Sequence, residues 1–202
     1  MMITDSNPLA DLKLGVEDSI RTKQQLLADE ALLRRVVEVG HIFIGAFRRG
    51  NRVLFAGNGG SAADAQHLAA EFVSRFEFDR PGLPSLSLST DTSMLTAIGN
   101  DYGYDKLFRR QLEAQARPGD VFVGITTSGR STNVLAAFEV CRGLEVTSVA
   151  LCGQGGALED KVDHVLRVPS DSTPRIQECH ILLGHMLCAQ VERAIFGHLA
   201  PR

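Results

Sequence analysis

The fold is decided by Arg52-Val-Leu-Phe-Ala-Gly57-Asn58-Gly59-Gly60-Ser61 and, later in the chain, by Asp120-Val-Phe-Val-Gly-Ile125-Thr126-Thr127-Ser128-Gly129-Arg130-Ser131. Each is an apolar run followed by a loop rich in Gly, Ser or Thr. In an α/β sheet, ligands bind beyond the carboxyl ends of the strands. A helix that begins there offers free N–H groups and a positive dipole end to an anion. The two loops therefore predict a phosphorylated small molecule that lies across both.

The segments around these loops repeat a strand–loop–helix pattern, which is typical of a doubly wound parallel sheet. The predicted strands are Val53–Ala56, Ser85–Leu88, Val121–Ile125, Val146–Leu151 and His164–Val168. The predicted helices after the first strand are Ser61–Phe76, Ser93–Ile98, Tyr104–Ala116, Thr132–Cys141 and a last helix from about Pro174 to Phe196. The predicted fold class is therefore α/β, a three-layer αβα sandwich with a doubly wound, mostly parallel sheet.

The N-terminal segment is predicted to be helical from about Leu9 to Arg49, because apolar residues recur there at helical spacing. This segment is too apolar on one face to stand alone, so it packs on the sheet or on a second subunit. At 202 residues the chain is expected to form a single domain, residues 1–202, in which residues 1–50 are a helical extension.

Composition narrows the possible partners and the compartment. The net charge of −3 does not indicate the excess positive charge that is typical of nucleic-acid-binding proteins. No apolar run is long enough to span a membrane. We therefore expect a cytoplasmic protein with neither a nucleic-acid nor a membrane partner. The four cysteines lack CxxC spacing and are expected to be buried thiols in a reducing compartment.

His67 and Glu71 lie four residues apart in the helix that follows the first loop, so they share one helix face. Such a pair can ligate a metal or act as a base and its partner, and on an exposed face it is a solvated ion pair. The many alanines around it allow close packing of this helix, which favours an internal pair.

The last predicted helix carries four polar side chains among apolar neighbours: Gln177, Glu178, His180 and His185. Its histidines are either core residues or part of a site divided between two helices. Gln177 and His185 are eight residues apart, a rise of about 12 Å along a straight helix. Both can reach one ion only if Gln177 lies in an unwound first turn or if another subunit completes the site.

The second loop presents four hydroxyl side chains: Thr126, Thr127, Ser128 and Ser131. Hydroxyls and backbone N–H groups are suitable ligands for phosphate. One hydroxyl, from Ser131 or Thr132, would be enough to cap the following helix, so the loop predicts a phosphate site. Arg130 is either a further phosphate partner or a solvated side chain.

Asn100 and Asp101 follow another predicted helix, in Asn100-Asp101-Tyr102-Gly103. These residue types are common in turns, and they could also form a hydroxyl-binding edge of the pocket. Spacing alone leaves both interpretations open.

Six motifs occur in order: Ala56-Gly57-Asn58-Gly59-Gly60-Ser61, Asp64-Ala-Gln-His67 with Glu71, Arg80-Pro-Gly, Gly99-Asn100-Asp101, Thr127-Ser128-Gly129, and Arg175-Ile-Gln177-Glu178 with His180 and His185. Together they resemble the bacterial phosphoheptose isomerases, which are sugar-isomerase-type (SIS) phosphosugar-binding domains. The resemblance extends from about Leu26 to Phe196. It implies a homotetramer with interfacial active sites. It also implies conversion of D-sedoheptulose 7-phosphate to D-glycero-D-manno-heptose 7-phosphate, the first step toward activated heptose.

The resemblance further implies a role for each matching residue. The sugar is contacted by Asn58, Gly59, Gly60, Asn100 and Asp101, and the phosphate by Thr126, Thr127, Ser128 and Ser131. One zinc ion per subunit is bound by His67, Glu71, Gln177 and His185, of which Glu71 and Gln177 also contact the substrate. Glu71 is the catalytic base and His185 the acid. Relatives often carry Ser at Thr126, which keeps the hydroxyl.

Two other classes share this fold. The replication initiator-associating proteins are non-catalytic tetrameric scaffolds, and the member considered lacks the residues that match Glu71 and His185. SIS modules that regulate transcription usually carry a DNA-binding domain, and the first fifty residues here lack a basic helix-turn-helix pattern. The presence of Glu71 and His185 favours the enzyme.

Overall fold

The computed structural model describes residues 7–201, so residues 1–6 and 202 of the predicted domain lie outside the described range. Within that range the strands are β1 (Val53–Gly57), β2 (Ser85–Ser87), β3 (Val121–Thr126), β4 (Thr147–Cys152) and β5 (His164–Arg167). The α-helices are α1 (Pro8–Ala28), α2 (Glu30–Arg48), α3 (Gly60–Val73), α4 (Thr92–Tyr102), α5 (Leu107–Gln115), α6 (Thr132–Cys141) and α7 (Thr173–Phe196). Over residues 7–201, none of these helices has the length and apolar character to cross a membrane.

The strands form one sheet in the order β2-β1-β3-β4-β5, and each neighbouring pair is parallel. The predicted α/β class is confirmed, and the observed strand ends differ from the predicted ones by one residue. The direction of winding reverses between β1 and β3. In open α/β sheets this reversal leaves a ligand-binding crevice beyond the strand ends. The two Gly/Ser loops follow β1 and β3 and therefore flank that crevice.

Helices cover both faces of the sheet. Side chains alternate along each strand, so Val53 and Phe55 of β1 face one helical layer while Leu54 and Ala56 face the other. Helices α2, α3 and α7 form the first layer, and α4, α5 and α6 form the second. The two buried clusters confirm the three-layer sandwich.

The N-terminal segment differs from the prediction, because it forms two helices where one was expected. Asp29 separates α1 from α2, and its Oδ1 accepts a hydrogen bond of 2.8 Å from the Leu32 amide, which caps α2. α2 is part of the first layer, while α1 packs against α7 and α2. Several apolar side chains of α1 remain exposed, namely Leu9, Leu12, Leu14, Val16 and Ile20.

Two further helix ends were predicted wrongly. α3 stops at Val73, short of Phe76, because the amides of Phe76 and Glu77 donate to the Glu192 carboxylate of α7. α4 continues to Tyr102, so Asn100 and Asp101 lie in its last turns. The interpretation of these two residues as a turn is therefore wrong.

The four cysteines are buried and unpaired, as expected: Cys141, Cys152, Cys179 and Cys188. Burial raises the pKa of the Cys141 thiol to about 12 and that of Cys152 to about 11. Both thiols therefore stay protonated at neutral pH and act as apolar core groups.

Candidate active site

Three titratable side chains meet between α3 and α7. His67 and Glu71 share one face of α3, and Nε2 of His67 lies 3.2 Å from Oε1 of Glu71. His185 of α7 places its Nε2 2.9 Å from Nε2 of His67. Glu71 and His185 are partly buried and His67 is exposed, so the cluster is accessible to a small molecule.

The cluster forms because α3 and α7 approach each other closely at a glycine. A Cβ on Gly184 would overlap the side chain of Leu68. These two buried residues are the chain neighbours of His185 and His67. Their contact brings together the two helices on which the sequence placed a divided site.

The donor set of this cluster suits a metal ion. One ligand atom from each of His67, Glu71 and His185 lies within 4.8 Å of the others. Two imidazoles and one carboxylate are the protein ligands of several catalytic zinc sites, which keep a further position open for substrate. Asp64 adds a half-buried carboxyl one turn before His67; burial raises its pKa, and the neighbouring His67 opposes that rise. The residues present therefore fit zinc.

Within one subunit, Gln177 lies away from the cluster of His67, Glu71 and His185. Its side-chain amide occupies the space beside Gly60, where a Cβ would overlap it. α7 is regular helix from Thr173 onward, so the interpretation of an unwound first turn at Gln177 is wrong. Gln177 therefore lies beside the first glycine loop, while His185 meets His67 two turns further along α7.

The hydroxyls of the second loop turn toward one another. Ser131 is the N-cap residue of α6, but its side chain makes no capping hydrogen bond; its Oγ lies 3.0 Å from Oγ1 of Thr126. Thr132 is the first residue of α6, so the capping interpretation is wrong for both residues. Ser128 is exposed, and its Oγ accepts a hydrogen bond of 3.2 Å from the amide of Arg130, whose side chain is also exposed. Hydroxyl groups thus surround the N-terminus of α6.

The loop that follows β4 packs against the hydroxyl loop that follows β3. The carbonyl of Thr127 accepts a hydrogen bond of 3.1 Å from the amide of Gly153. Arg167, at the end of β5, donates to the carbonyls of Gly153 (2.7 Å), Gly155 (3.0 Å) and Gly156 (3.2 Å). Arg167 thereby fixes the loop on which the hydroxyl loop rests, a role that its sequence position did not indicate.

The first loop carries Asn58 in a network of side-chain amides. Asn58 Nδ2 donates to Oδ1 of Asn133 (2.9 Å), and Nδ2 of Asn133 donates to Oδ1 of Asn58 (2.8 Å). Tyr104 Oη also donates to Oδ1 of Asn58 (2.9 Å). Neither Asn133 nor Tyr104 was predicted from the sequence. The available signal for Asn133 was a polar residue in the first turn of α6, directly before the apolar run from Val134 to Phe138.

The remaining predicted residues lie at the start of α3 and at the end of α4. Gly59 and Gly60 form the N-terminus of α3. Asn100 and Asp101 are exposed at the end of α4, where Asn100 Nδ2 donates to Oδ1 of Asp101 (2.8 Å). The bond from Tyr104 to Asn58 connects the segment after α4 to the first loop.

The other two polar residues predicted on α7, His180 and Glu178, have structural roles away from the cluster. His180 is buried, neither ring nitrogen has a hydrogen-bond partner within residues 7–201, and burial lowers its pKa to about 4, so it is a neutral core histidine. Glu178 accepts a hydrogen bond of 2.6 Å from Ser19 Oγ, which connects α1 to α7, and it pairs with Arg175 of its own helix at 2.5 Å.

Comparison with known proteins relates the chain to the SIS domain family and to phosphoheptose isomerases. The SIS domain family matches residues 18–153. A phosphoheptose isomerase of Aneurinibacillus thermoaerophilus is 56% identical over 186 residues, which are 92% of this chain and 94% of that relative.

Solved structures of phosphoheptose isomerases are also similar to this chain. The structure of a phosphoheptose isomerase from Francisella tularensis has a TM-score of 0.88 at 36% identity, and the match covers 93% of this chain and 100% of that one. The phosphoheptose isomerase from Neisseria gonorrhoeae has a TM-score of 0.85 at 40% identity, with coverages of 92% and 99%.

Proposed function

The chain belongs to the phosphoheptose isomerases of the SIS domain family, and from this we propose that it converts D-sedoheptulose 7-phosphate to D-glycero-D-manno-heptose 7-phosphate. This reaction is the first step toward activated heptose. The observation that carries the proposal is the meeting of His67, Glu71 and His185 between α3 and α7. Two of its three residues, His67 and Glu71, lie on α3, the helix that the first Gly-rich loop opens at the crevice where phosphosugar ligands are expected.

The isomerisation moves one proton between two carbons. A base removes a proton from C1 of the ketose, an enediol forms, and a proton returns at C2. Glu71 acts as the base, because its carboxylate is accessible. His185 moves the proton between the two oxygens of the enediol, since imidazole can donate and accept a proton near neutral pH.

The loops at the strand ends hold the substrate. The phosphate binds at the N-terminus of α6, where free N–H groups and hydroxyls favour an anion; the residues are Thr126, Thr127, Ser128 and Ser131. The sugar hydroxyls contact Asn58, Gly59, Gly60, Asn100, Asp101 and Gln177. The mutual contact of the Thr126 and Ser131 hydroxyls supports this assignment, because neither side chain serves as a helix cap.

His67, Glu71 and His185 would hold one zinc ion per subunit, and Gln177 would be a further ligand. When bound, the ion supplies a Lewis acid that polarises the carbonyl and hydroxyl oxygens of the substrate. Gln177 and His185 are about 12 Å apart along regular helix, so a second subunit completes the ligand set.

The protein works as a homotetramer with interfacial active sites. Exposed apolar side chains on α1 support this, since they need a partner surface; examples are Leu12, Val16 and Ile20. Residues 1–202 form a single SIS domain, and residues 1–50 contribute to assembly. The enzyme acts in the cytoplasm, because four unpaired thiols suit a reducing compartment.

A direct assay tests the proposed activity. The purified protein is incubated with D-sedoheptulose 7-phosphate, and the ketose and aldose phosphates are separated by chromatography. The aldose should form until equilibrium is reached, while unphosphorylated sedoheptulose should react far more slowly because the α6 terminus has no anion to hold. Absence of the aldose from the phosphorylated substrate would contradict the proposal and favour a non-catalytic scaffold.

A further inference from the structure

A buried ion pair joins the loop that follows α3 to the helix α7. Arg80 Nε lies 2.9 Å from Oε1 of Glu192, and each side chain is 1% exposed. Among residues 7–201, no hydrogen bond joins either side chain to the side chains of His67, Glu71 or His185. Arg80 occurs in the Arg80-Pro-Gly motif, whereas none of the six sequence motifs includes Glu192.

Arg80 is bound to the end of the helix that carries His67 and Glu71. Its Nη2 donates to the main-chain carbonyl of Glu71 (2.8 Å), and its Nη1 donates to that of Phe72 (2.6 Å). The last carbonyls of a helix have no partner within the helix, and a cation there is stabilised by the helix dipole. The guanidinium thus fixes the last turn of α3, from which the Glu71 side chain projects.

Glu192 holds the other side of the cluster. Its two carboxylate oxygens accept hydrogen bonds from the amides of Phe76 (2.9 Å) and Glu77 (2.7 Å). The Phe76 ring in turn lies against the His185 ring, with centroids 5.3 Å apart. Glu192 is seven residues, or two turns, after His185 on α7, so both lie on the same helix face.

The Glu192 carboxylate is stabilised in its charged form by its hydrogen-bond partners. Burial by itself would raise the pKa of Glu192, but the two amides and Arg80 lower it below its usual value. Glu192 is therefore ionised at neutral pH and keeps Arg80 in place. A buried ion pair adds little net stability compared with a well-packed apolar pair, and its best-supported benefit is a defined geometry.

We propose that the Arg80–Glu192 pair is a positioning device, which sets the orientation of Glu71 on α3 and of His185 on α7 relative to each other. The two residues act through main-chain atoms and the Phe76 ring, and neither touches the substrate. The inference rests on the proposed function for its kinetic readout, but its structural content is the geometry of the three-residue cluster.

The test replaces the pair by apolar side chains of similar length, in the double variant Arg80→Met/Glu192→Met. Zinc affinity is measured by competition with a chromogenic chelator, alongside kcat, KM and the thermal midpoint. Removal of groups that orient metal ligands typically weakens metal binding or activity by about 10- to 100-fold. We expect such losses in zinc affinity and in kcat, with KM changed by less than about threefold and the thermal midpoint largely retained.

The chain offers a matched control in the neighbouring exposed pair. Arg193 and Glu77 join the same loop to the same helix at 2.8 Å, with side chains 67% and 41% exposed. Arg193→Met should leave zinc affinity and kcat within about twofold, because exposed pairs contribute little. A second variant, Arg80→Lys, keeps the charge but not the planar fork, and should lose part of the zinc affinity while remaining folded.

Three outcomes would overturn the proposal. The first is a folded double variant with wild-type zinc affinity and kcat. The second is equal loss in Arg193→Met. The third is failure of both Arg80 variants to fold, which would make the pair a requirement for folding. If wild-type protein binds zinc but makes no aldose, the proposed function fails, and zinc affinity alone decides this inference.

Discussion

The two halves of the candidate site are built in different ways. The cluster of His67, Glu71 and His185 uses long titratable side chains on the faces of two packed helices. The hydroxyl loop from Thr126 to Ser131 uses short side chains and main-chain N–H groups at the end of a strand. The first is fixed by helix packing at Gly184 and the second by neighbouring loops.

This difference matches the two tasks of the enzyme. A proton-transfer group needs a fixed angle to the reacting carbon, which a packed helix face provides. A phosphate site needs many weak donors around an anion, which a loop that opens a helix provides. Damage to the cluster should therefore lower kcat, and damage to the hydroxyl loop should mainly raise KM.

The largest expected effect comes from the base. Glu71→Gln keeps the size of the side chain and removes its ability to take a proton, so kcat should fall by about 10²- to 10⁴-fold. The thermal midpoint should stay close to that of the wild type. Steady-state kinetics measure the loss, and Glu77→Gln, an exposed residue nearby, is the control. Near-wild-type turnover in Glu71→Gln would refute the assignment of this half.

A smaller effect is expected in the other half. Ser131→Ala removes a hydroxyl from the proposed phosphate site, and a hydrogen bond to a charged group contributes about 1.5–3 kcal/mol. KM should rise by about 10- to 100-fold with kcat little changed. The thermal midpoint should fall only slightly, because the side chain does not cap α6 and its loss removes one neutral hydrogen bond, to Thr126 Oγ1.

Thr132→Ala is the control for Ser131→Ala, since the exposed Thr132 follows Ser131 directly in α6. It should leave KM unchanged. If Ser131→Ala lowered kcat and left KM unaltered, the division of tasks between the two halves would be wrong.

Tyr104→Phe probes the edge of the sugar site. It removes one neutral hydrogen bond to Asn58, which contributes about 0.5–1.5 kcal/mol. We expect KM to rise by about 2- to 10-fold. Tyr102→Phe should have no effect, because the Tyr102 hydroxyl makes a long contact of 3.5 Å with the exposed Arg110 side chain. Equal effects of the two variants would show that the Asn58 contact is unimportant.

The smallest effect concerns His180, which lies on α7 between Gln177 and His185 and belongs to neither half. Burial lowers its pKa to about 4, so the unfolded chain binds more protons between about pH 6.5 and 4. Stability therefore falls as the pH is lowered through that window and levels off below it. His180→Leu should reduce this dependence of the thermal midpoint on pH, with activity at pH 7 retained. An unchanged pH dependence would contradict the buried neutral state.

Strand positions and the sharing of one helix face by His67 and Glu71 were predictable, because both depend on local periodicity. The break at Asp29 was not, since apolar spacing continues across it and only the capping bond to Leu32 marks it. The approach of His185 to His67 was not predictable from spacing either, because it depends on the contact of Gly184 with Leu68, more than a hundred residues apart in sequence. Asn133, Arg167 and Glu192 were missed for the same reason: their partners are distant in the chain.

The most direct test of the account is an NMR time course of D-sedoheptulose 7-phosphate with the purified protein in D₂O, with and without a chelator. The account predicts that the aldose phosphate appears with deuterium at C2, because the proton that the base takes from C1 exchanges with D₂O before a deuteron is delivered to C2. It also predicts that chelation abolishes the reaction and that added zinc restores it. Formation of no aldose, with or without zinc, would contradict the central claim and leave Glu71 and His185 as structural residues.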